Sequence, residues 1–222
     1  MIEISNLHKT YNQNTPNEFE ALKGVSFRLN DKPLIIQGIS GSGKSTLLSL
    51  IAGFEKPTKG KIVVDDMLVS KLPDLHLSHY RATKVGFVFQ HFNLIDSLSV
   101  MDNVIAPLIP IYKDISHIKQ LALKAMQRVG IEHKAHQHTK DLSGGEKQRC
   151  AIARALVNDA SIIICDEPTA NLDSKNSQKF IEILKELKDD GKRIIIATHD
   201  PIFENLDFEC DMLRLKDGKI EE

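Results

Sequence analysis

The chain has 222 residues, of which 41% are apolar and 27% charged, and its formal net charge at pH 7 is −1. A chain of this size can bury a substantial core, and its near-neutral charge argues against a nucleic-acid-binding field over the whole surface. Its longest apolar runs are far shorter than the roughly 20 residues of a membrane-spanning helix, so no membrane span is predicted.

Three widely spaced cysteines occur, at Cys150, Cys165 and Cys210, and no two of them form a CxxC pair. This pattern is typical of buried thiols in a reducing compartment rather than of a disulfide or zinc framework. The first residues also lack the basic segment and apolar stretch of a secretory signal. We therefore expect a cytoplasmic protein.

Short strand-like runs alternate with helical stretches along the chain. Residues 2–4 and 25–29 alternate between apolar and polar side chains, which is typical of half-exposed antiparallel strands. Other runs are continuously apolar and lie at residues 34–36, 85–89, 162–165 and 194–197. Because strands of a parallel sheet are covered on both faces, these runs predict a largely parallel sheet in an α/β fold. A final strand is expected near residues 212–215.

The region from residue 91 to residue 158 has few strand-like runs and is dominated by helical periodicity. Apolar side chains recur there in steps of three and four, at Ile118, Leu121, Ala122, Ala125, Met126 and Val129. We interpret residues 91–158 as an inserted α-helical subdomain. Residues 1–90 and 159–222 then form the α/β core with its N-terminal antiparallel β subdomain.

A glycine-rich loop follows the first continuous apolar run. Residues 38–45 match G-x-x-x-x-G-K-[ST] between a strand and a helical run, a context that disfavours a chance Gly- and Ser-rich turn. Glycines let successive backbone N–H groups surround a phosphate at the positive end of the helix. We expect Lys44 to reach the β- and γ-phosphates of ATP, Ser45 to ligate Mg²⁺ and Thr46 to contact the α-phosphate. The candidate nucleotide-binding residues are Gly38, Ser40, Gly41, Ser42, Gly43, Lys44, Ser45 and Thr46.

Two carboxylates end the apolar run at residues 162–165. A phosphate-binding loop needs an acidic residue on a neighbouring strand to organise Mg²⁺, and Asp166 is the candidate. Glu167 is the candidate general base, or water-orienting group, for attack on the γ-phosphate. Considered alone, a strand end with solvated acids is the simpler interpretation. Together with the loop, the pair indicates a hydrolase rather than a binding module.

Residues 142–149 read Leu-Ser-Gly-Gly-Glu-Lys-Gln-Arg and precede a helical run. Ser143 is a favourable N-cap, and Glu146 lies three residues later, as in a capping box. Gly144 and Gly145 leave backbone N–H groups at the helix start open to an anion. This second phosphate-binding element fits two chains arranged head to tail, each contributing one element to each ATP.

The second element, followed by Ala-Ile-Ala-Arg-Ala-Leu, resembles the signature of the ABC ATPases, and almost the whole chain is similar to that family in motif order. The resemblance implies a P-loop NTPase fold with a RecA-like core. It also implies that Tyr11 stacks on adenine, that Gln90 senses Mg²⁺ and a transmembrane partner, and that His199 contacts the γ-phosphate. Residues 171–173 match the loop that crosses the dimer interface. Taken singly, a tyrosine such as Tyr11 is more often a packing residue, and a histidine such as His199 is more often structural than catalytic.

Residues 85–94 and 166–174 are similar to one bacterial branch, which holds the lipoprotein-release, macrolide-export and division-associated ATPases. Ala170 departs from the glycine that is usual there. The resemblance implies a separate transmembrane permease, self-association as an ATP-sandwich homodimer, no nucleic acid partner, and a place at the cytoplasmic face of the inner membrane. Residues 92–111 are expected to form part of the groove for the permease's cytoplasmic helix, and packing within the helical subdomain is the alternative.

Other functions stay open. An ATPase of this branch can regulate a periplasmic enzyme through its membrane partner instead of driving transport. ABC ATPases that act on nucleic acid or ribosomes carry long insertions or a second ATPase half, and neither occurs in these 222 residues. Three closely spaced histidines, His133, His136 and His138, have two interpretations. They form either a metal site or the solvated end of a helix.

Overall fold

The computed structural model describes residues 1–221, which separate into two compact units. Unit 1 comprises Met1–Arg81 and the chain from Arg193 onward, and unit 2 comprises Ala82–Lys192. The strands are β1 (Ile2–Tyr11), β2 (Phe19–Leu29), β3 (Leu34–Gln37), β4 (Lys59–Val64), β5 (Met67–Leu68), β6 (Val85–Val88), β7 (Ile162–Asp166), β8 (Arg193–Thr198), β9 (Asp211–Lys216) and β10 (Lys219–Ile220). The α-helices are α1 (Lys44–Ile51), α2 (Asp74–Lys84), α3 (Val100–Ile105), α4 (Ile115–Arg128), α5 (Gly144–Leu156) and α6 (Ser174–Asp189). Short 3-10 helices lie at Val69–Lys71, Ala106–Leu108, Glu132–Lys134, Thr139–Asp141 and Pro201–Glu204.

Unit 1 contains an antiparallel sheet with the strand order β2-β1-β4-β5. Ile4 of β1 pairs with Phe27 on one side and with Ile62 on the other. The inward side chains of β1, Ile2, Ile4 and Leu7, are buried. The predicted antiparallel strands are confirmed. Both are longer than predicted, because shifts in register at bulges interrupt the alternation that marks them in the sequence.

Unit 1 also contains a layer of parallel strands. β3 lies between β8 and β9 and runs parallel to both, while β10 pairs antiparallel with β9. Leu34 of β3 pairs with Ile195 and with Asp211, and all of β3 except its last residue is buried. Both continuous apolar runs predicted here are confirmed as covered parallel strands. Since β3 leads directly into the glycine-rich loop and α1, this layer positions the loop.

An ion pair connects the start of β8 to the turn after β4. Both terminal nitrogens of Arg193 donate to the carboxylate of Asp65, at 2.5 Å, and the amino group of Met1 lies 2.8 Å from the same carboxylate. These contacts, hydrogen bonding by Arg193 foremost, hold the pKa of Asp65 well below its usual range. Nearby, the buried hydroxyl of Tyr80 donates to the carbonyl of Ile51 at 3.0 Å.

In unit 2, β6 and β7 form a parallel pair against which α5 packs. Val85 pairs with Ile162 and Val88 with Cys165, and both strands are almost wholly buried. Gly86 is needed for this packing, because a Cβ there would lie 2.0 Å from the carbonyl oxygen of Ala155 in α5. The continuous apolar runs predicted at these positions are confirmed.

The helices α3, α4 and α5 of unit 2 pack against one another. α4 buries one face, formed by four of the positions predicted from periodicity: Ile118, Ala122, Ala125 and Met126. Unit 2 also contains β6, β7 and α6, so its limits at residues 82 and 192 are not those of the predicted helical subdomain. The subdomain division at residues 91–158 stays a prediction.

The thiols differ in exposure. Cys150 in α5 and Cys165 in β7 are fully buried, whereas Cys210, just before β9, is partly exposed. Burial raises the pKa of Cys150 to about 12 and also raises that of Cys165. Within residues 1–221, no helix combines the length and the apolar character that crossing a bilayer requires.

Candidate active site

The glycine-rich loop of unit 1 runs from the end of β3 to the first turn of α1. Gly41 and Gly43 have φ angles of +80° and +104°, and Gly43 is the N-cap of α1. A Cβ on Gly38 would lie 2.3 Å from the carbonyl oxygen of Leu215, so no side chain fits at this position. Among residues 1–221, no side chain caps the N-terminus of α1. The loop and the helix therefore present backbone N–H groups in the manner that binds phosphate.

Lys44 is buried at the first position of α1. Its Nζ donates to the carbonyl oxygens of Gly38 at 2.6 Å and Ile39 at 3.3 Å, which holds the ammonium at the start of the loop. The Oγ of Ser42 is also buried, and it has no hydrogen-bond partner among residues 1–221. Because an unsatisfied buried hydroxyl is unfavourable, Ser42 retains hydrogen-bonding capacity for a ligand or water in the loop.

The remaining loop residues with predicted nucleotide contacts face outward. Ser40 and Ser45 are exposed, and Thr46 in the first turn of α1 is half-buried. Ser45 thus presents a hydroxyl oxygen at the helix N-terminus, where a cation beside a bound phosphate would find a ligand.

Tyr11, the last residue of β1, lies beside the first turn of α1. Its hydroxyl donates to Glu55 Oε1 at 3.1 Å, and Lys9 Nζ lies 4.9 Å from the centroid of its ring. The pKa of Tyr11 is raised, chiefly by burial. A hydrogen bond with Thr46 acts in the opposite direction, and one with Glu55 adds to the increase. The structure therefore brings the predicted adenine-stacking residue next to the predicted α-phosphate ligand.

His199 follows β8 and is exposed. It lines a cavity of about 490 Å³ together with Gly38 and Ile39 of the loop and Glu204 of the following 3-10 helix. The turn is fixed by the carboxylate of Asp200, which accepts a hydrogen bond from the backbone N–H of Ile202 at 3.0 Å. Unit 1 thus gathers Tyr11, the loop and His199.

The paired carboxylates of unit 2 lie at the end of β7. Asp166 is its last residue, and Glu167 is 8% exposed with a φ of +45°. A bulky L-residue with positive φ is conformationally unfavourable and persists where the surroundings fix it. Here the backbone N–H of Ala170 donates to Glu167 O at 3.2 Å, and Gln148 of α5 donates to Pro168 O at 2.8 Å.

Gln90 emerges at the same edge of the parallel pair as the two carboxylates. It lies two residues after β6, and β6 ends beside Cys165 of β7. Asn171 Nδ2 donates to the carbonyl oxygen of Gln90 at 3.0 Å. Unit 2 therefore brings together Gln90, the carboxylates and the segment after β7 that is predicted to cross a dimer interface.

The second glycine-rich element begins α5, and its predicted capping box is confirmed. Ser143 Oγ accepts from the backbone N–H of Glu146 at 3.4 Å, while Glu146 Oε2 accepts from the backbone N–H of Ser143 at 2.8 Å. Hydrogen bonding by Ser143, with Lys134 nearby, lowers the pKa of Glu146. Gly144 and Ser143 are exposed at the helix start, where backbone N–H groups and the helix dipole favour an anion.

Sequence reasoning missed two residues that hold these elements. Asn176 of α6 lies so close to Gly145 that a Cβ there would be 2.9 Å from its Nδ2, and its backbone N–H is capped by Asp173 at 2.8 Å. The Asp173-x-x-Asn176 spacing is a capping signal that identifies this helix start. Arg154, near the end of α5, donates to the carbonyl oxygens of Phe92 and Asn93, a long-range contact with no local signal.

The histidine cluster is not assembled into a metal site. Among residues 1–221, no group of three or more His, Cys, Asp or Glu side chains is placed to hold a metal ion. His138 instead places Nδ1 3.0 Å from the carbonyl oxygen of Ser97.

A buried lysine in a glycine loop between strand and helix, with carboxylates ending another strand, defines a P-loop nucleotide-binding protein. Residues 22–170 match the family model described as ABC transporter. The chain is 41% identical over 203 residues to an uncharacterized ABC transporter ATP-binding protein of Thermotoga maritima, covering 91% of this chain and 86% of that protein. The chain belongs to the ABC transporter family and is one of its ATPases.

Two further relatives place the chain within the family. It is 40% identical to the ABC transporter ATP-binding protein MJ0796 of Methanocaldococcus jannaschii, over all of this chain and 95% of that protein. It is 37% identical to the macrolide export ATP-binding/permease protein MacB of Bdellovibrio bacteriovorus, over all of this chain and 33% of that protein.

Solved structures of MJ0796 share the fold. A dimeric structure of that cassette has a TM-score of 0.91 and 39% identity and covers all of this chain and 97% of that one. A second dimeric structure, of a post-hydrolysis state bound to ADP and Pi, has the same TM-score with 38% identity and the same coverage. The predicted α/β ATPase fold with an antiparallel β subdomain and helical parts is confirmed.

Proposed function

We propose that this ABC ATPase powers a separate membrane permease by mechanotransmission of the lipoprotein-release and macrolide-export type. The observation that carries the proposal is the match of the whole chain to one third of MacB, whose name joins an ATP-binding part to a permease. The relatives from T. maritima and M. jannaschii, matched over 86% and 95% of their length, support an ATPase encoded apart from its permease. The chain would then lie at the cytoplasmic face of the inner membrane, held there by the permease.

The nucleotide occupies the glycine-rich loop of unit 1 in this proposal. Tyr11 stacks on adenine, the loop N–H groups and Lys44 bind the β- and γ-phosphates, and Thr46 contacts the α-phosphate. The support is local. A Cβ on Gly38 or Gly43 would clash with a backbone oxygen, and within residues 1–221 no side chain caps α1 and no group hydrogen-bonds the buried hydroxyl of Ser42.

The candidate magnesium ligands suit that ion by their chemistry. Ser45, Gln90 and Asp166 offer hydroxyl, amide and carboxylate oxygens, which are the hard donors that Mg²⁺ prefers. The ion would neutralise negative charge on the β- and γ-phosphates. Asp166 ends a buried strand, so its carboxylate is held on a rigid element, as a cation ligand needs to be.

Hydrolysis is assigned to three side chains. Glu167 orients the attacking water and accepts its proton, His199 contacts the γ-phosphate, and Lys44 stabilises the charge that develops on it. Glu167 suits this role because it is buried at the end of β7, and because hydrogen bonds from Ala170 and Gln148 fix the backbone of residues 167 and 168. His199 suits its role because it faces the same cavity as the first residues of the loop.

Two chains complete each site in this proposal. The helix start at Ser143, Gly144 and Gly145 binds the γ-phosphate of the nucleotide held by the partner's loop, with Glu146 fixing the cap. The dimeric structures of MJ0796, at 39% and 38% identity, support this assembly. A lone chain would then hydrolyse ATP slowly, since each site lacks one of its two phosphate-binding elements.

The permease is proposed to dock on the segment 92–111 of unit 2. Part of this segment packs within unit 2, as in the alternative interpretation, because Val100, Val104 and Leu108 are buried. Ile95 and Ile109 are 51% and 58% exposed, which leaves apolar surface for a partner helix.

Site-specific cross-linking tests this function. A photoreactive amino acid at Ile95 should cross-link, in cells, to an integral membrane protein with four spans and a large periplasmic domain. The same label at Leu75, which is 80% exposed in unit 1, is the matched control and should not. Cross-linking of both positions to the same partners, or of Ile95 to soluble proteins alone, would refute the proposed docking.

A further inference from the structure

Arg154 of α5 reaches away from its own helix to the segment that follows β6. Its two terminal nitrogens donate to the carbonyl oxygens of Asn93 and Phe92, each at 2.5 Å. Its guanidinium carbon lies 5.9 Å from the centroid of the Phe89 ring. The side chain is half-buried, and burial lowers the pKa of Arg154. One guanidinium therefore binds two consecutive peptide groups just beyond Gln90.

Among residues 1–221, no carboxylate balances the charge of Arg154. Within residues 1–221, its hydrogen bonds go to backbone carbonyls, and no ion pair involves it. Even partial burial of a cation is unfavourable unless hydrogen bonds satisfy it, and only arginine offers a planar fork that can bind two adjacent acceptors at once. The contact is thus specific both for arginine and for the conformation of the segment that it binds.

The bound segment has an uncommon backbone. Phe92 and Asn93 have φ angles of +61° and +49°, so two consecutive non-glycine residues are left-handed. Asparagine tolerates this region, but a phenylalanine there is conformationally unfavourable and needs support from its surroundings. Short turns, from Phe92 N to Phe89 O at 3.0 Å and from Asn93 N to His91 O at 2.6 Å, supply part of that support. The fork of Arg154 supplies the part that comes from another element.

Gln90 is held by a second segment of unit 2. Asn171, in the segment after β7, donates Nδ2 to Gln90 O at 3.0 Å. The backbone of residues 90–93 is therefore fixed at its start by Asn171 and at its end by Arg154. Arg154 lies on α5, which begins at the phosphate-binding element Ser143-Gly144-Gly145. One rigid helix therefore carries that element at its start and binds residues 92 and 93 near its end.

We propose that Arg154 is a positioning residue, which fixes the backbone of residues 90–93 and thereby the side chain of Gln90 relative to α5. The inference rests on the proposed role of Gln90 as a magnesium ligand. It goes beyond that role because it makes the Mg²⁺ affinity of the site depend on a residue that touches neither metal nor nucleotide. A displacement of α5 would move residues 90–93 with it, through two hydrogen bonds.

The test compares Arg154→Met, which removes every donor, with Arg154→Lys, which keeps the charge and loses the fork. Arg128→Met is the matched control, since Arg128 lies in the same unit and its guanidinium binds the carboxylate of Asp190 at 2.6 Å. Hydrogen exchange of peptides covering residues 90–95 is measured beside that of β7 peptides, and steady-state ATP hydrolysis is titrated with Mg²⁺. Gln90→Ala is titrated in parallel.

For Arg154→Met we expect exchange in residues 90–95 to rise about tenfold while β7 changes less than about twofold. The Mg²⁺ concentration at half-maximal rate should rise about fivefold, while the KM for ATP stays within about twofold of the wild-type value. In both exchange and Mg²⁺ requirement, Arg154→Lys should lie between Arg154→Met and the wild type. Arg128→Met should match the wild type in both readouts. Arg154→Lys keeps the test decisive if Arg154→Met does not fold.

Two results would overturn the inference. One is unchanged exchange in residues 90–95, or an equal rise throughout β7, because Arg154 would then be only a packing residue. The other is a raised Mg²⁺ requirement in Gln90→Ala but not in the Arg154 variants. An unchanged requirement in Gln90→Ala itself would refute the proposed role of Gln90, and the exchange data would still decide whether Arg154 fixes the segment.

Discussion

Replacing Gly86 by alanine tests whether the close approach of α5 to β6 is essential. The added Cβ would lie 2.0 Å from the carbonyl oxygen of Ala155 and 2.9 Å from Ile163 Cδ1. Ordinary van der Waals contact begins at 3.4 Å, so the helix backbone would have to retreat by 1.4 Å. A flexible side chain can rotate away from such a clash, but a helix carbonyl within a packed layer cannot.

Overpacking of this kind destabilises by about 1–3 kcal/mol, and a backbone obstacle puts Gly86→Ala at the upper end, near 3 kcal/mol. For a chain of this size that corresponds to a fall in melting temperature of about 9 °C. The retreat would also displace the helix that carries Ser143 and Arg154, so ATP hydrolysis should fall beyond what partial unfolding explains.

The matched control for Gly86→Ala is Gly191→Ala. Gly191 has a φ of +74°, but no atom in the described part of the chain lies within 4 Å of its added Cβ. That variant should lose only about 1 kcal/mol, from left-handed strain partly offset by the stiffer unfolded chain. Urea unfolding monitored by circular dichroism gives both free energies of unfolding. If Gly86→Ala lost no more than Gly191→Ala, the required close approach would be refuted.

Further variants address the site and the ion pair. Glu167→Gln should lower the rate of ATP hydrolysis at least about a hundredfold while retaining ATP binding and giving a stable ATP-dependent dimer in size-exclusion chromatography with light scattering; wild-type turnover would contradict the role of Glu167. Lys44→Ala should weaken ATP binding in calorimetry at least about tenfold, and unchanged affinity would argue against the loop assignment. The depressed pKa of Asp65, caused chiefly by Arg193, stabilises the fold above the usual carboxylate pKa near 3.9, and this stabilisation disappears as the pH falls through the lower pKa of the folded protein. Asp65→Asn should therefore be less stable than the wild type at pH 7 and approach it in urea unfolding below about pH 4; a deficit independent of pH would contradict the mechanism.

The parallel strands were predictable because burial on both faces leaves a mark within the sequence. Residues 34–36 and 162–165 are continuously apolar, and both lie in strands almost wholly inaccessible to water. The antiparallel strands were predicted too short. In β1 the left-handed Asn6 and the register shifts around Leu7 interrupt the alternation on which the prediction depended. β10 is only two residues long, too short to leave a pattern.

The local features of the site could also be predicted from the sequence, whereas its long-range contacts could not. The glycine-rich loop and the capping box of Ser143 each depend on residues within a few positions of one another, so their spacing predicts their geometry. The hydrogen bond of Arg154 with Phe92 joins residues that are 62 positions apart in the sequence, and that of Asn171 with Gln90 joins residues 81 positions apart. No periodicity records such pairs, because only the folded chain brings them together.

The unequal exposure of the cysteines gives the protein a ready attachment point for a spectroscopic label. Cys150 and Cys165 are fully buried and out of reach of reagents. Burial raises the pKa of all three thiols, so exposure to solvent is what distinguishes Cys210. Cys210 is partly exposed in unit 1, outside the loop and outside the capping box. A maleimide spin label or dye should therefore react at one position of the unmodified chain. In a homodimer, two such labels would report the distance between protomers as nucleotide is added, without any substitution in the sequence.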